Sequence, residues 1–129
     1  MRPALTLTGI AIGIAGAGAT WAQPGEDELS KALAGRKPGP AVSCIDSRRV
    51  DGPQVIDSHT LLYREAGRIW RSDLPSACPG LHDDSRLIVE LYGSQICDSD
   101  RFRAIGPGET IPGPYCRFGK FVPYDKPGR

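Results

Sequence analysis

The stretch from Thr60 to Leu81, TLLYREAGRIWRSDLPSACPGL, constrains the fold most, because strand-like runs flank an Ala66-Gly67 pair that can reverse the chain. Turning there sets Glu65 opposite Arg68, Arg64 opposite Ile69, Tyr63 opposite Trp70 and Leu62 opposite Arg71. One face of this predicted hairpin carries Leu61, Tyr63 and Trp70; Ser72, opposite Leu61, and Asp73 do not extend that apolar face. Leu74-Pro75 ends the second strand, because proline has no N–H to give to a ladder, and Cys78-Pro79-Gly80 turns the chain again. The hairpin supplies a nucleus, not a chemistry.

Residues 1–22 read as an export signal. Met1-Arg2 is a short positive start, Ala4 to Ala19 is uncharged and mostly Leu, Ile, Ala and Gly, and Thr20-Trp21-Ala22 places small residues where a signal peptidase reads. Cleavage is expected before Gln23. A membrane anchor fits less well: the apolar run is shorter than the roughly 20 residues a spanning helix needs and is rich in glycine. The first cysteine is Cys44, far from the cleavage point, which argues against lipid modification, so no stable membrane anchor is expected after cleavage.

The mature chain, Gln23 to Arg129, is the size of one domain. Without Arg2 it has as many basic as acidic side chains, and the arginines are scattered among acids, so no electrostatic trap for nucleic acid is expected. Alternation such as Arg101-Phe102-Arg103-Ala104 reads as the solvated face of a strand. Four cysteines, Cys44, Cys78, Cys97 and Cys116, lie well apart. In an exported chain they predict two structural disulfides. No CxxC pair suggests a zinc or redox site, and the spacing leaves all three pairings open.

In chain order, residues 23–40 form a short helix and a Gly/Pro linker. Asp27 caps the helix, Leu29 and Leu33 share one side, and Gly35-Arg36-Lys37-Pro38 stops it after about two turns. That helix must either pack its leucine edge on the domain or fray. Residues 41–125 form a single β domain, with 126–129 as a tail. Ala41 to Ile45 is its first strand, Arg48 to Pro53 a strand end and turn, and Arg86 to Tyr92 the clearest strand, expected to be central and covered on both faces. Arg101 to Ile105 is a short strand, Gly106 to Pro114 an exposed Gly/Pro loop, and Tyr115 to Val122 the last strand. Five or six short strands and one short N-terminal helix predict a mostly β, disulfide-stabilised domain, either a small antiparallel barrel or a sandwich.

Several segments carry a resemblance. Gly35-Arg36 with Pro40 to Ile45, Ile56-Asp57 before Thr60 to Tyr63, Cys78-Pro79-Gly80-Leu81, Gly93 to Cys97 with Asp100, and Gly119 to Tyr124 resemble a family of small exported proteobacterial proteins known as a domain of unknown function. The resemblance spans about Gly35 to Tyr124 and implies no activity. It does imply a pairing of Cys44 with Cys97 and of Cys78 with Cys116, because similar proteins can carry the first two cysteines without the others.

Catalytic signals are fragmentary. His59 and His82 are the only histidines and hence the ordinary candidates for proton transfer near neutral pH, with Asp57 as a possible partner. The run Asp57-Ser58-His59 suggests a triad, but neighbours on a strand diverge to opposite faces, and no Gly-x-Ser-x-Gly elbow is present. His82, Asp84, Asp98 and Asp100 are candidates to hold a hard cation, against the simpler reading of solvated turn residues. Tyr63, Trp70, Tyr92, Phe102, Phe118 and Phe121 could line a groove, but alternating aromatics in a small β domain usually build its core.

Two functions stay open. The favoured one is a non-enzymatic periplasmic or secreted module that binds a protein, glycan or small ligand, in an inhibitor-like manner, through loops such as Gly106 to Pro114. The other is a small periplasmic hydrolase using a His/Asp pair. No cofactor is expected for either.

Overall fold

The computed structural model describes residues 4, 9–13, 15–18 and 24–128. The cleavage point expected at residues 20–23 and much of the export signal lie outside the described residues. Among the described residues no helix is long and apolar enough to cross a membrane.

The chain runs α1 (Pro24–Leu33), β1 (Lys37–Pro38), β2 (Cys44–Asp46), β3 (Asp51–Val55), β4 (Thr60–Glu65), β5 (Arg68–Asp73), β6 (Arg86–Val89), β7 (Gln95–Cys97), β8 (Arg101–Ile105), β9 (Tyr115–Arg117) and β10 (Phe121–Asp125). The domain is mostly β, and its strands form several antiparallel sheets, not a closed barrel. A five-stranded sheet has the order β1-β10-β5-β4-β3, a second pairs β2 with β7, and a third has the order β6-β8-β9.

The predicted hairpin is β4–β5, in the predicted register from Glu65 opposite Arg68 to Leu61 opposite Ser72. It sits inside the five-stranded sheet with β3 on one edge and β10 on the other. Its inner face, with Leu61, Tyr63 and Trp70, joins Ile45, Ile96, Phe102, Phe118 and Phe121 in one core shared by all three sheets. Its outer face, with Leu62 and Ile69, is covered by Leu29, Ala32 and Leu33 of α1 and by Tyr124. Half-burying Leu29 and Leu33 against this face contributes part of the roughly 1.5–3 kcal/mol that full burial of a leucine gives, so the helix docks instead of fraying.

Four expectations need correction. The helix starts at Pro24, not behind an Asp27 cap; Glu26 and Asp27 lie in its first turn. Proline suits that first position because its missing N–H would have no helical partner, and acids there face the positive end of the helix. The strand expected to be central, Arg86 to Tyr92, is a four-residue edge strand, and Ile88 and Tyr92 remain 47% and 80% exposed. The apolar run was long enough for a core strand, but only Leu87 and Val89 reach the core. The single last strand is two, because Phe118-Gly119-Lys120 carries the chain from one sheet to another. The tally of five or six strands also rises to ten, since β1, β2, β7 and β9 are pieces of two or three residues.

The disulfides are Cys44–Cys97 and Cys78–Cys116, the pairing the resemblance implies. Cys44 and Cys97 are direct cross-strand partners, and the Asp98 amide donates to the Ser43 carbonyl beside them. That places the cysteines at a pair without mutual backbone bonds, where side chains approach most closely. The second bridge ties the loop after β5 to β9. Sequence separations of 53 and 38 put the loop-closure contribution of each bridge at about 4 kcal/mol. Two such bridges indicate an oxidising location outside the cytoplasm.

Candidate functional site

Buried polar chemistry in this domain is structural. Ser72, fully buried on the hairpin, donates its hydroxyl to the Gly119 carbonyl at 2.9 Å and accepts the Gly119 amide at 3.0 Å. Asp100 accepts the Cys97 amide at 2.8 Å, and Asp98 pairs with Lys120 at 3.4 Å. Among the described residues no three His, Cys, Asp or Glu side chains gather closely enough to hold a metal ion, so His82, Asp84, Asp98 and Asp100 are not brought together. Five of the six aromatic positions, Tyr63, Trp70, Phe102, Phe118 and Phe121, are buried as the core reading expects, whereas Tyr92 is exposed.

The Cys78 to Asp84 loop separates two open clefts. The first, about 550 Å³, is bordered by α1, by Asp57 and Ser58 from the β3–β4 turn, and by His82 and Asp83. The second, about 790 Å³, lies between His82 and Asp84 on one side and the Gly106 to Pro114 loop on the other. Pro79, Gly80 and His82 form the wall they share.

Of the catalytic candidates, Asp57 and His82 border the first cleft, and His59 adjoins it through Ser58 in an arrangement the sequence did not suggest. Residues 57–59 form a bend, not a strand, so Ser58 and His59 do not diverge: the Ser58 hydroxyl lies 3.1 Å from His59 Nδ1. Asp57 does not complete a triad. Its carboxylate accepts the backbone amide of His59 at 2.8 Å, the ordinary way an aspartate closes a turn. The imidazole therefore lacks the carboxylate that orients it in a serine hydrolase, and it stands exposed to water. His82 donates its backbone amide to the Ser85 hydroxyl at 2.9 Å, which itself donates to the Gly80 carbonyl at 3.2 Å.

The second cleft is bounded by the more elaborately held feature. Arg103, on the outward face of β8, donates Nε to the Gly113 carbonyl at 2.7 Å and a terminal nitrogen to the Pro112 carbonyl at 3.1 Å. The Gly113 amide returns a bond of 2.8 Å to the Ala104 carbonyl. At the other end Glu109 accepts the Gly106 amide at 2.9 Å, while its own amide donates to the Gly106 carbonyl at 3.2 Å. Between these two ties Ile111 projects, 80% exposed. The loop's exposure was legible from its glycines and prolines; its anchoring by Arg103 was not, because a side chain reaching across ten residues leaves no local pattern. No model of a known protein family, no curated protein and no solved structure matches the chain, so no residue of this site takes a role by likeness.

Proposed function

We propose that the mature protein is a non-enzymatic binding module, exported to the periplasm or beyond once residues 1–22 are removed, and that it engages its partner in the inhibitor-like manner of a rigid loop on a cross-linked scaffold. One observation carries this reading: the Gly106 to Pro114 loop is tied at both ends and presents the aliphatic Ile111 to solvent. Preorganisation lowers the entropy lost on binding, and a projecting apolar side chain is a natural anchor for a partner's pocket. The Cys78–Cys116 bridge beside Pro79 cross-links the segment that faces the loop across the second cleft.

A hydrolase is the second reading, favoured by the Ser58–His59 contact and by the gathering of Asp57, Ser58, His82 and Asp83 at one cleft. The two separate cleanly. A photo-crosslinking residue is placed at Ile111, with Lys126 as the control position, in protein exported by its own host. A discrete cross-linked species from position 111, unchanged when His59 and His82 are both alanine, is the expected result. The module reading fails if position 111 gives no species beyond the control. It also fails if a correctly folded double-histidine variant loses hydrolysis of simple ester or amide substrates that the parent performs.

A further inference from the structure

The sheet β6-β8-β9 ends in an open edge whose hydrogen-bonding capacity can be derived from the register. The Phe118 amide donates to the Asp100 carbonyl, and the Gly113 amide to the Ala104 carbonyl, so β8 bonds its neighbour through Asp100, Phe102 and Ala104. Arg101 and Arg103 turn their backbone groups the other way, toward β6, as the Glu90 amide to Arg101 carbonyl bond shows. Antiparallel alternation then directs the N–H and C=O groups of Tyr115 and Arg117 away from β8. They face a groove of about 410 Å³ between β9 and the Ser76–Ala77 segment, whose walls are tied by the Cys78–Cys116 bridge. Four backbone groups in alternating order thus lie along an open channel with no strand among the described residues to receive them.

The outward face of the sheet that this edge borders is mostly basic. The outward face of the sheet carries Arg86, Arg101, Arg103 and Arg117 against one carboxylate, Glu90, which pairs with Arg101 at 3.1 Å. Tyr115 lies under two of the guanidinium groups, with Arg101 at 4.5 Å and Arg103 at 5.0 Å from its ring. In a mature chain with balanced charge, this is a local concentration of positive potential.

We infer that the free edge of β9 takes up an extended acidic peptide segment of a partner protein as an added strand, pairing with Tyr115 and Arg117. This rests on the binding-module reading and names the chemistry of its partner. An added strand supplies the alternating amides and carbonyls that the edge lacks, which a lipid surface or a polyanion without a peptide backbone does not. Side chains of that strand alternate, so every second one lies beside the arginines, where aspartate or glutamate is favoured. The same features keep the edge from self-association: it is three residues long, opens on Pro114 and ends on a charge.

The test uses the oxidised, exported protein, isotope-labelled for amide NMR, titrated with a capped peptide of three Glu-Val repeats. The matching Lys-Val peptide and vesicles containing phosphatidylglycerol are the comparisons. The Glu-Val peptide should shift the Tyr115 and Arg117 amides and slow their exchange with solvent. Arg117→Gln, which keeps the amide, should weaken binding about fivefold. Arg117→Pro, which removes it, should abolish binding with the rest of the spectrum unchanged. The inference is overturned if the Lys-Val peptide binds as well, if shifts map elsewhere, or if only vesicles bind and both amides stay unprotected. It is also overturned if the glutamine variant, folded as the parent, binds unchanged. A cross-link from Ile111 that persists while the peptide fails would sink the edge proposal and leave the module reading standing.

Discussion

The β4–β5 hairpin and the β6-β8-β9 sheet are held by different means. The hairpin has a paired strand on each edge and packed side chains on each face, with Leu61 and Leu62 both fully buried although they point in opposite directions. The smaller sheet is open along both edges and buries one face only, and its loops are secured by a disulfide and by Arg103. Burial on both faces dominates in the first; in the second, one buried face, with Phe102 and Ala104 in the core, is supplemented by covalent and directional ties. The difference teaches where function can reside: a surface left open for a partner cannot also be stabilised by being covered, so it is fixed from behind and from the side.

The sharpest way to break the comparison is at the joint between the regions. A Cβ on Gly119 would lie 1.8 Å from the Asp73 carbonyl oxygen, backbone that cannot move aside. Gly119→Ala should therefore cost about 4 kcal/mol or more, or prevent folding, as read by urea unfolding. A loss under about 1 kcal/mol would show that the β9–β10 connection does not approach Asp73 so closely.

Removing the Cys78–Cys116 bridge with both cysteines as alanine should cost up to about 4 kcal/mol. Amide exchange locates the damage. Protection should fall first in β8, β9 and the Gly106 to Pro114 loop, while the hairpin amides stay slow; a uniform loss would mean the two regions unfold as one.

Tyr63 sharpens the comparison from the buried side. Its hydroxyl is enclosed without a hydrogen-bond partner among the described residues, and burial pushes the phenol well above its ordinary pKa. Deleting an unsatisfied buried hydroxyl removes a desolvation cost, so Tyr63→Phe should gain about 1 kcal/mol in thermal or urea unfolding. A loss instead would reveal a partner such as an enclosed water.

The smallest effect is electrostatic and lies in the β2–β7 pair, outside both regions. Asp46 accepts the Arg48 amide at 2.9 Å, which holds its carboxyl below the usual aspartate value, helped by the nearby charges of Arg48 and Arg49. A depressed folded pKa contributes stability that is present at neutral pH and is lost as pH falls below about 4. The stability gap between the parent and Asp46→Asn should be small, should close in acid, and should shrink with added salt. A gap that widens on acidification would refute the assignment.

The hairpin was legible because its signals are local: an Ala66-Gly67 turn and alternating side chains fix a register without reference to the rest of the chain. Ala66 indeed adopts a positive φ of 52° there. Arg86 to Tyr92 misled because an apolar run states that a strand is greasy, not that another strand lies beside it. Ser72 looked like the end of the apolar face and is instead fully buried, its hydroxyl joined to a glycine 47 residues away. The Ser58–His59 contact was hidden by treating a bend as a strand, since a period of two applies only where the backbone is extended.

By itself the sequence determined the class of the domain, the hairpin and its register, the exposure of the Gly106 to Pro114 loop, and the expectation of two structural disulfides, all set by composition or by neighbours a few residues apart. Only the tertiary structure decided which strands are interior, how β9 and β10 divide between sheets, what anchors Ile111, and which strand edge lies open beside the arginines. Those features depend on which distant segments meet. That outcome is settled by the packing of a common core, and no run of adjacent residues records it.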